Sequence, residues 1–600
     1  MRFARIVRRW IPKYVISALL LLLAILILTL EPKIFEIAVD YVMLNKGSAS
    51  KHVGTDFISN FFFQWLDPVY GLGIGNLLMV IAAIYIITAM LRGGIWFASS
   101  RLNTSTTENA MFFLRNSLFS HIQRIPVRYF TSGRKGELIQ RYQSDLYVIK
   151  SFFQNQIVNL IRLFGIFIFS FIMMAIVNIY FALISICVVP LILWWSFKFY
   201  KTQKILFEES QMYADQLIEI SRESFSSMRS VIASSAQPYE IDKFGACNSR
   251  KFLSDIKNVK ETRRFMNVND FLLASQLTIS LFATGYFAFA GYISIGQMLS
   301  FYAYTTMVAW PLSMIGSTSL HVARLQISIK HIMEIWNFEK ENEAGDQADS
   351  NTQFHGHIEF KNVCFKYPNS DKWSLEDVTF TLLPGEKIGI IGPSGSGKST
   401  IFNLLLRFYE PTSGMILVDG KPIQAYKKEF IREKIGCTFQ NSFLFSTTLK
   451  ENIIGGRNEV SALKFNKVTE TCSIGYFNTL LPKGFDTNVG EKGFLLSGGQ
   501  RQRLSLARTL IADPHVLLLD NANSALDSST EKIIFDKIFS ELEGKTVLFC
   551  THRFFLIDRM DRILVFKNGR VVQSGTPETL RSQWGYFKDT MVQNTINNMS

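Results

Sequence analysis

The chain has 600 residues, of which 48% are hydrophobic and 19% charged. This composition excludes an intrinsically disordered chain, and the length leaves room for about four domain-sized units. Lys and Arg number 63 against 49 Asp and Glu, a net charge of +14. In a chain with long apolar runs, this excess favours the basic bias of cytoplasmic membrane-protein loops over nucleic-acid binding. The six cysteines include no CxxC pair, which argues against a disulfide scaffold and a zinc site.

Six apolar runs in the first half are long enough to cross a bilayer. They lie near residues 15–44, 77–97, 157–177, 180–197, 271–292 and 299–321. A signal peptide is the alternative for the first run, but that run has no small-residue cleavage site and the helical pattern continues beyond it. Long basic stretches separate spans two and three, and spans four and five. The positive-inside rule places these stretches and the N-terminus in the cytoplasm.

Charged residues also lie within the predicted spans, where they are costly and usually face a partner or a cavity. Arg92 is the clearest case, while Lys33, Glu36 and Asp40 fall on roughly one helical face. We expect internal pairing or snorkelling for these side chains. Contact with a transported substrate is the alternative.

From about residue 357 the pattern becomes that of alternating strands and helices. A buried-strand candidate leads into a glycine-rich loop that opens an apolar helix, the context required of a GxxxxGK[ST] phosphate-binding loop. Backbone N–H groups of such a loop wrap phosphates, and the helix N-terminus favours an anion. Lys398 is predicted to reach the β- and γ-phosphates, and the Ser399 hydroxyl to ligate Mg²⁺. The predicted nucleotide-binding residues of the loop are Gly392, Ser394, Gly395, Ser396, Gly397, Lys398, Ser399 and Thr400.

A second apolar strand ends in Asp520, the Walker B arrangement in which the carboxylate holds Mg²⁺ through water. Between the two motifs lies an SGGQ sequence, Ser497, Gly498, Gly499 and Gln500. Alone it would be an ordinary glycine turn. Because it lies between the phosphate-binding loop (Walker A) and Walker B, the SGGQ sequence is a specific motif.

With these motifs the chain resembles the ABC transporter family, in particular half-size exporters of the type IV arrangement. The resemblance implies an all-α six-helix transmembrane domain over residues 1–325, a linker over 326–356, and an α/β P-loop nucleotide-binding domain with a helical subdomain over 357–600. It implies that Tyr367 stacks on adenine and that Gln440 senses Mg²⁺ and the γ-phosphate. It also implies that residues 497–500 close over ATP bound by a second subunit, and that His552 contacts the γ-phosphate. Residues 125–130 and 224–237 resemble the intracellular loops that carry coupling helices.

One position departs from the family pattern. The residue after the Walker B aspartate is normally the glutamate that polarises the attacking water, and here it is Asn521. An amide can orient water but is a poor proton acceptor, so we expect tight binding and slow hydrolysis at this chain's own Walker site. With an intact SGGQ signature, this combination resembles one half of a heterodimer with one degenerate site. A slow homodimer and an engineered trapping substitution are the alternatives.

The resulting prediction is ATP-driven export of a hydrophobic or amphipathic drug, lipid or peptide by alternating access, with ATP and Mg²⁺ as cofactors. The partners would be a second half-transporter chain and the lipid bilayer, without nucleic acid. A regulator or channel-associated sensor that binds ATP without pumping is the alternative. We expect a multi-pass protein of a bacterial plasma membrane, with both termini in the cytoplasm.

Overall fold

The computed structural model describes residues 8–45, 74–131, 138, 141–313, 315–341, 353–368, 370–457, 459–479, 481–520, 536–551 and 554–589. It divides into two compact units. The first comprises Met1–Ile125 with Gly133–Glu339, and the second comprises Pro126–Ser132 with Lys340–Ser600.

The first unit is helical throughout its described part. Its helices are α1 (Ile11–Asn45), α2 (Ile74–Ile122), α4 (Leu146–Ser151), α5 (Ile157–Val177), α6 (Ile179–Ser185), α7 (Val189–Ser226), α8 (Met228–Ala233), α9 (Gln237–Phe289), α10 (Ile295–Ser313) and α11 (Ile315–Asn337). The five-residue helix α3 (Val127–Thr131) groups with the second unit. Two π-helical turns, Arg141–Asp145 and Phe152–Gln156, flank α4.

Five helical stretches of the described residues are long and apolar enough to cross a membrane. They are Ile11–Asp40, Leu78–Ile122, Arg141–Val177, Ile179–Ser226 and Gln237–Phe289. The sixth predicted span, residues 299–321, falls on α10 and α11. This span is not among the five stretches, which were found within the described residues alone, and residue 314 inside it lies outside them.

The long helices continue well beyond the predicted spans. Helix α2 has 49 residues and α9 has 53. At about 1.5 Å per residue, either is more than twice as long as a bilayer core requires. The second predicted intracellular loop, residues 224–237, contains α8 between two breaks that follow Ser226 and Ala233.

Helices α1 and α10 are joined by polar contacts in their buried interface. The Asp40 carboxylate accepts hydrogen bonds from Ser294 Oγ at 2.6 Å and from the Gly296 amide at 2.9 Å. One turn away, Ser300 Oγ donates to Glu36 at 2.7 Å. A Cβ on Gly296 would lie 2.5 Å from the Asp40 carboxylate, so only glycine allows this approach. The partial positive charge of a helix N-terminus favours the anion placed there.

The remaining charges predicted inside the spans also have partners. Lys33 pairs with Glu36 at 2.5 Å, and both side chains are almost fully buried. Arg92 lies 3.3 Å from the Glu31 carboxylate. These contacts support internal pairing of the charged groups over direct contact with a substrate.

The second unit is an α/β structure with two sheets. Its strands are β1 (Ile358–Phe365), β2 (Leu375–Leu382), β3 (Lys387–Ile391), β4 (Ser413–Val418), β5 (Lys421–Pro422), β6 (Ile435–Thr438), β7 (Val516–Asp520), β8 (Thr546–Cys550), β9 (Arg562–Lys567) and β10 (Arg570–Gly575). The antiparallel sheet has the order β2-β1-β4-β5, and the main sheet has the order β10-β9-β3-β8-β7-β6. In the main sheet, β9, β3, β8, β7 and β6 are mutually parallel.

The described helices of this unit surround those sheets. They are α12 (Lys398–Leu405), α13 (Lys428–Lys434), α14 (Leu449–Ile454), α15 (Ala462–Thr471), α16 (Gly475–Asn478), α17 (Gly498–Leu510), α18 (Phe554–Ile557) and α19 (Pro577–Ser582). Every residue of β7 and β8 is buried, and both strands are apolar over nearly their whole length. Parallel strands covered on both faces have this composition.

Candidate functional site

The glycine-rich loop connects β3 to α12, as the sequence predicted. Gly397 is the residue before the helix and has φ 103°. A Cβ at this position would lie 2.5 Å from the Ser374 carbonyl oxygen. Only glycine meets both constraints, and the loop can therefore turn tightly into the N-terminus of α12. Gly392, Ser394, Gly395 and Ser396 form the rest of the loop.

Lys398 lies within this loop. Its Nζ donates hydrogen bonds to the carbonyl oxygens of Gly392, at 2.9 Å, and Pro393, at 2.8 Å. Burial lowers the pKa of Lys398, while the negative charge of nearby Asp520 opposes that shift. The ammonium group is thus held close to the backbone that would surround a phosphate.

Ser399 and Asp520 are brought into direct contact. Ser399 Oγ donates a 2.8 Å hydrogen bond to Asp520 Oδ2, and Asp520 is the last residue of β7. Only 7% of Asp520 is exposed. A hydroxyl and a carboxylate are hard oxygen ligands of the kind that Mg²⁺ prefers, so the donor set fits this ion. When bound, Mg²⁺ would contact both Asp520 and the Ser399 hydroxyl that is its hydrogen-bond partner in the structure.

The order of the main sheet explains why the predicted residues converge. Strands β3, β8, β7 and β6 are adjacent and parallel, so their carboxyl ends lie along one edge, where α/β proteins bind ligands. The Walker loop follows β3, Asp520 ends β7, and the exposed Gln440 lies two residues beyond β6. Asn521 and His552 lie outside the described residues. In sequence they come directly after Asp520 and after Thr551, which follows β8.

Tyr367 lies beside the first turns of α12. Its phenol oxygen is 3.2 Å from Thr400 Oγ1 and accepts a 3.0 Å hydrogen bond from Asn403 Nδ2. The rings of Phe365 and Tyr409 pack against it at steep angles. An aromatic side chain is therefore fixed next to the Walker helix, and its stacking on a nucleotide base stays a prediction.

The sequence did not single out Asn403. It lies three residues after Thr400, so the two share a face of α12. That spacing was visible in the sequence, but their common partner, Tyr367, is more than 30 residues away in the chain.

The predicted signature residues begin α17. Ser497 Oγ accepts from the Gln500 amide at 3.3 Å, and Gln500 Oε1 accepts from the Ser497 amide at 2.9 Å. This reciprocal pair is a capping box, with Gly498 and Gly499 in the first turn. The motif therefore has a fixed local structure, in which the Ser497 hydroxyl caps the N-terminus of α17.

The buried Cys550 and the partly buried Cys437 lie near Asp520 and were also not identified from sequence. Cys550 pairs with Asp520 across β7 and β8, and Cys437 lies on β6. Burial, and secondarily the charge of Asp520, raises the pKa of both thiols. They are therefore neutral, and they add apolar packing around the carboxylate.

Comparison with known proteins agrees with both halves of the chain. Residues 14–312 match the family described as "ABC transporter transmembrane region", and residues 375–524 match "ABC transporter". An ATP-dependent lipid A-core flippase of Alkalilimnicola ehrlichii is 30% identical over 477 residues, which are 79% of this chain and 80% of that protein. A putative multidrug export ATP-binding/permease protein of Bacillus subtilis is 29% identical over 530 residues, 87% of this chain and 90% of its own length.

Among solved structures, a bacterial Atm1-family ABC exporter with ATP bound superposes with a TM-score of 0.80. Its sequence identity to this chain is 24%, and the match covers 98% of each chain. This similarity confirms the predicted fold, a helical transmembrane domain followed by an α/β nucleotide-binding domain.

Proposed function

Because the chain belongs to the ABC transporter family, we propose that it exports a hydrophobic or amphipathic molecule across a membrane and works as a dimer. The family and the exporter relatives support ATP hydrolysis coupled to transport. The observation that carries the proposal is that one chain combines apolar membrane-crossing helices with the Ser399–Asp520 contact beside a phosphate-binding loop.

The proposed substrate class rests on the apolar helices and on the relatives. One relative is named as a lipid A-core flippase and another as a multidrug exporter, and both names refer to amphipathic or hydrophobic molecules. Helix α2 has exposed large apolar side chains along its predicted span, including Met79, Ile87 and Met90. A lipid, a hydrophobic drug or a peptide fits this composition.

Each predicted site residue has a proposed role in ATP binding. The loop amides and Lys398 bind the phosphates, and the ring of Tyr367 stacks on the base. Ser399, Asp520 and Gln440 would hold Mg²⁺, which neutralises phosphate charge when it is bound. His552 would contact the γ-phosphate. The Ser497–Gln500 segment would complete the ATP site of the second subunit.

Asn521 is the basis for proposing a heterodimer. Without a carboxylate after Asp520, this site lacks general-base assistance, which is typically worth about 10² to 10⁴ in rate. A partner chain that brings its own glutamate, and uses this chain's intact signature, would supply the competent site. ATP would close the two nucleotide-binding domains, and its differential affinity for the closed state would drive alternating access.

We further propose that the protein lies in a bacterial plasma membrane with its N- and C-termini in the cytoplasm. The long basic segments that follow spans two and four support this orientation. It places both intracellular loops on the same side as the nucleotide-binding domain.

Transport in proteoliposomes tests the proposal. The chain would be reconstituted with and without a candidate partner half-transporter, in vesicles that contain a fluorescent phospholipid or a hydrophobic dye. We expect ATP- and Mg²⁺-dependent movement of the probe that the Lys398→Ala variant does not support. ATP binding without movement of any probe, with the partner present, would favour the regulator alternative.

A further inference from the structure

The phenol of Tyr367 is attached to the Walker helix by two side chains of one helical face. Asn403 Nδ2 donates to the phenol oxygen at 3.0 Å, and Thr400 Oγ1 lies 3.2 Å from the same oxygen. Thr400 belongs to the first turn of α12 and Asn403 to the next. The Tyr367 side chain is therefore hydrogen-bonded to α12, the helix that follows the phosphate-binding loop.

The chemistry of Asn403 sets the direction of its own hydrogen bond to Tyr367. An amide nitrogen can only donate, so the phenol oxygen is the acceptor in that bond. In the contact between the phenol and Thr400 Oγ1, either oxygen can be the donor.

Two aromatic neighbours fix the plane of the same ring. Phe365 lies 4.9 Å from Tyr367 between centroids with an interplanar angle of 81°, and Tyr409 lies at 5.1 Å and 86°. Edge-to-face packing of this kind is favourable. Ring packing and the bond to Asn403 together leave Tyr367 with little rotational freedom.

We propose that Asn403 is a positioning residue for the nucleotide base. By holding Tyr367 in place before ATP arrives, it removes the entropy cost of ordering that ring on binding. This inference rests on the proposed role of Tyr367 as the adenine platform. It assigns to Asn403 an effect on base recognition and no effect on phosphate recognition.

Displacement of a fluorescent ATP analogue from the purified full-length chain tests this assignment, with ATP and inorganic tripolyphosphate as the two competitors. One neutral hydrogen bond corresponds to about a fivefold change in affinity. We expect Asn403→Leu and Tyr367→Phe each to weaken ATP binding about fivefold and to leave tripolyphosphate binding unchanged. Because Asn403 acts through the phenol, the double variant should be no weaker than Tyr367→Phe alone.

Two further variants complete the design. Asn403→His keeps a nitrogen donor at similar reach and should restore most of the ATP affinity. Asn466→Leu makes the same replacement at an exposed helical asparagine and should leave binding of both competitors unchanged.

The outcomes separate this inference from the proposed function. Equal weakening of ATP and tripolyphosphate by Asn403→Leu would indicate a distorted Walker helix and overturn the positioning role. Additive losses in the double variant would overturn it as well. If Tyr367→Ala leaves ATP affinity unchanged, the adenine platform itself is wrong. If Tyr367→Ala weakens binding while Asn403→Leu does not, only the role of Asn403 falls.

Discussion

The hydroxyl of Ser399 donates a 2.8 Å hydrogen bond to the carboxylate of Asp520, across 121 residues of the chain. Ser399 lies in the first turn of α12, and Asp520 ends β7. The contact joins Walker A to Walker B and places two proposed Mg²⁺ ligands together at the edge of the main sheet.

This contact predicts how Ser399 contributes to nucleotide binding. Replacement by alanine removes one proposed Mg²⁺ ligand and leaves Asp520 without its hydroxyl partner. The quantity of interest is the ratio of ATP affinity in Mg²⁺ to that in EDTA. We expect this ratio to be at least about tenfold smaller in the alanine variant, the usual scale of a hydrogen bond to a charged group. Titration with ATP in Mg²⁺ and in EDTA measures this, and Ser399→Thr, which keeps the hydroxyl, is the control. Full Mg²⁺ dependence in the alanine variant would show that Ser399 is not a ligand.

The environment of Lys398 predicts a pH dependence. Burial lowers the pKa of this lysine, so it loses its proton at a lower pH than an exposed lysine. Only the protonated form attracts phosphate. We therefore expect ATP affinity to decline as the pH rises above neutral and approaches the lowered pKa. Lys398→Arg stays charged throughout and should remove the dependence. Wild-type affinity that stays as constant at alkaline pH as that of Lys398→Arg would contradict the prediction.

The contacts of Glu341 predict that its carboxylate stabilises the second unit. Its carboxylate forms two bonds with Arg432, at 2.7 and 2.8 Å, and one with Lys428 at 3.2 Å. Burial alone would raise the pKa of Glu341, but these cations lower it below the ordinary value. A depressed folded-state pKa means that the stabilisation is present at neutral pH and is lost as the pH falls through that value.

We expect Glu341→Gln to lower the free energy of unfolding by about 1 to 2 kcal/mol at neutral pH, and by less in acid. Chemical denaturation followed at two pH values measures both effects. Glu433→Gln, at a side chain that is 74% exposed, should change stability little. An equal loss at pH 7 and at pH 3 would rule out the ion pair as the cause.

The buried pair of Lys33 and Glu36 predicts a non-additive effect. Removing one partner leaves a charge inside the protein, which costs about 3 to 5 kcal/mol in buried pairs, whereas neutral replacement of both partners is often tolerated. We expect Lys33→Met to lower the unfolding temperature in detergent more than Lys33→Met/Glu36→Gln does. A double variant that is less stable than the single variant would show that the pair contributes beyond charge neutralisation.

The sequence predicted the parts of the site that depend on local order. A strand, a glycine loop and a helix are continuous in the chain, so residues 392–400 could be placed from their spacing. The Asp520 position followed from the apolar strand before it. The contact of Tyr367 with Asn403 could not be predicted, because it joins two segments, 36 residues apart in the chain, that meet only in the folded domain.

The membrane half shows the same limit. Apolar runs located the helices, but the interface of Asp40 with Gly296 spans 256 residues and has no local signature. The roles of Asn521 and His552 and the heterodimer remain predictions from sequence.

Steady-state ATP hydrolysis by the purified chain, compared with its Asn521→Glu variant, tests the central claim most directly. If the site is complete except for its base, the wild type should hydrolyse slowly. The variant should then gain about 10²-fold or more, and Lys398→Ala should abolish that gain. Wild-type hydrolysis as fast as that of the variant would show that Asn521 does not limit the site, and would contradict the heterodimer proposal built on it.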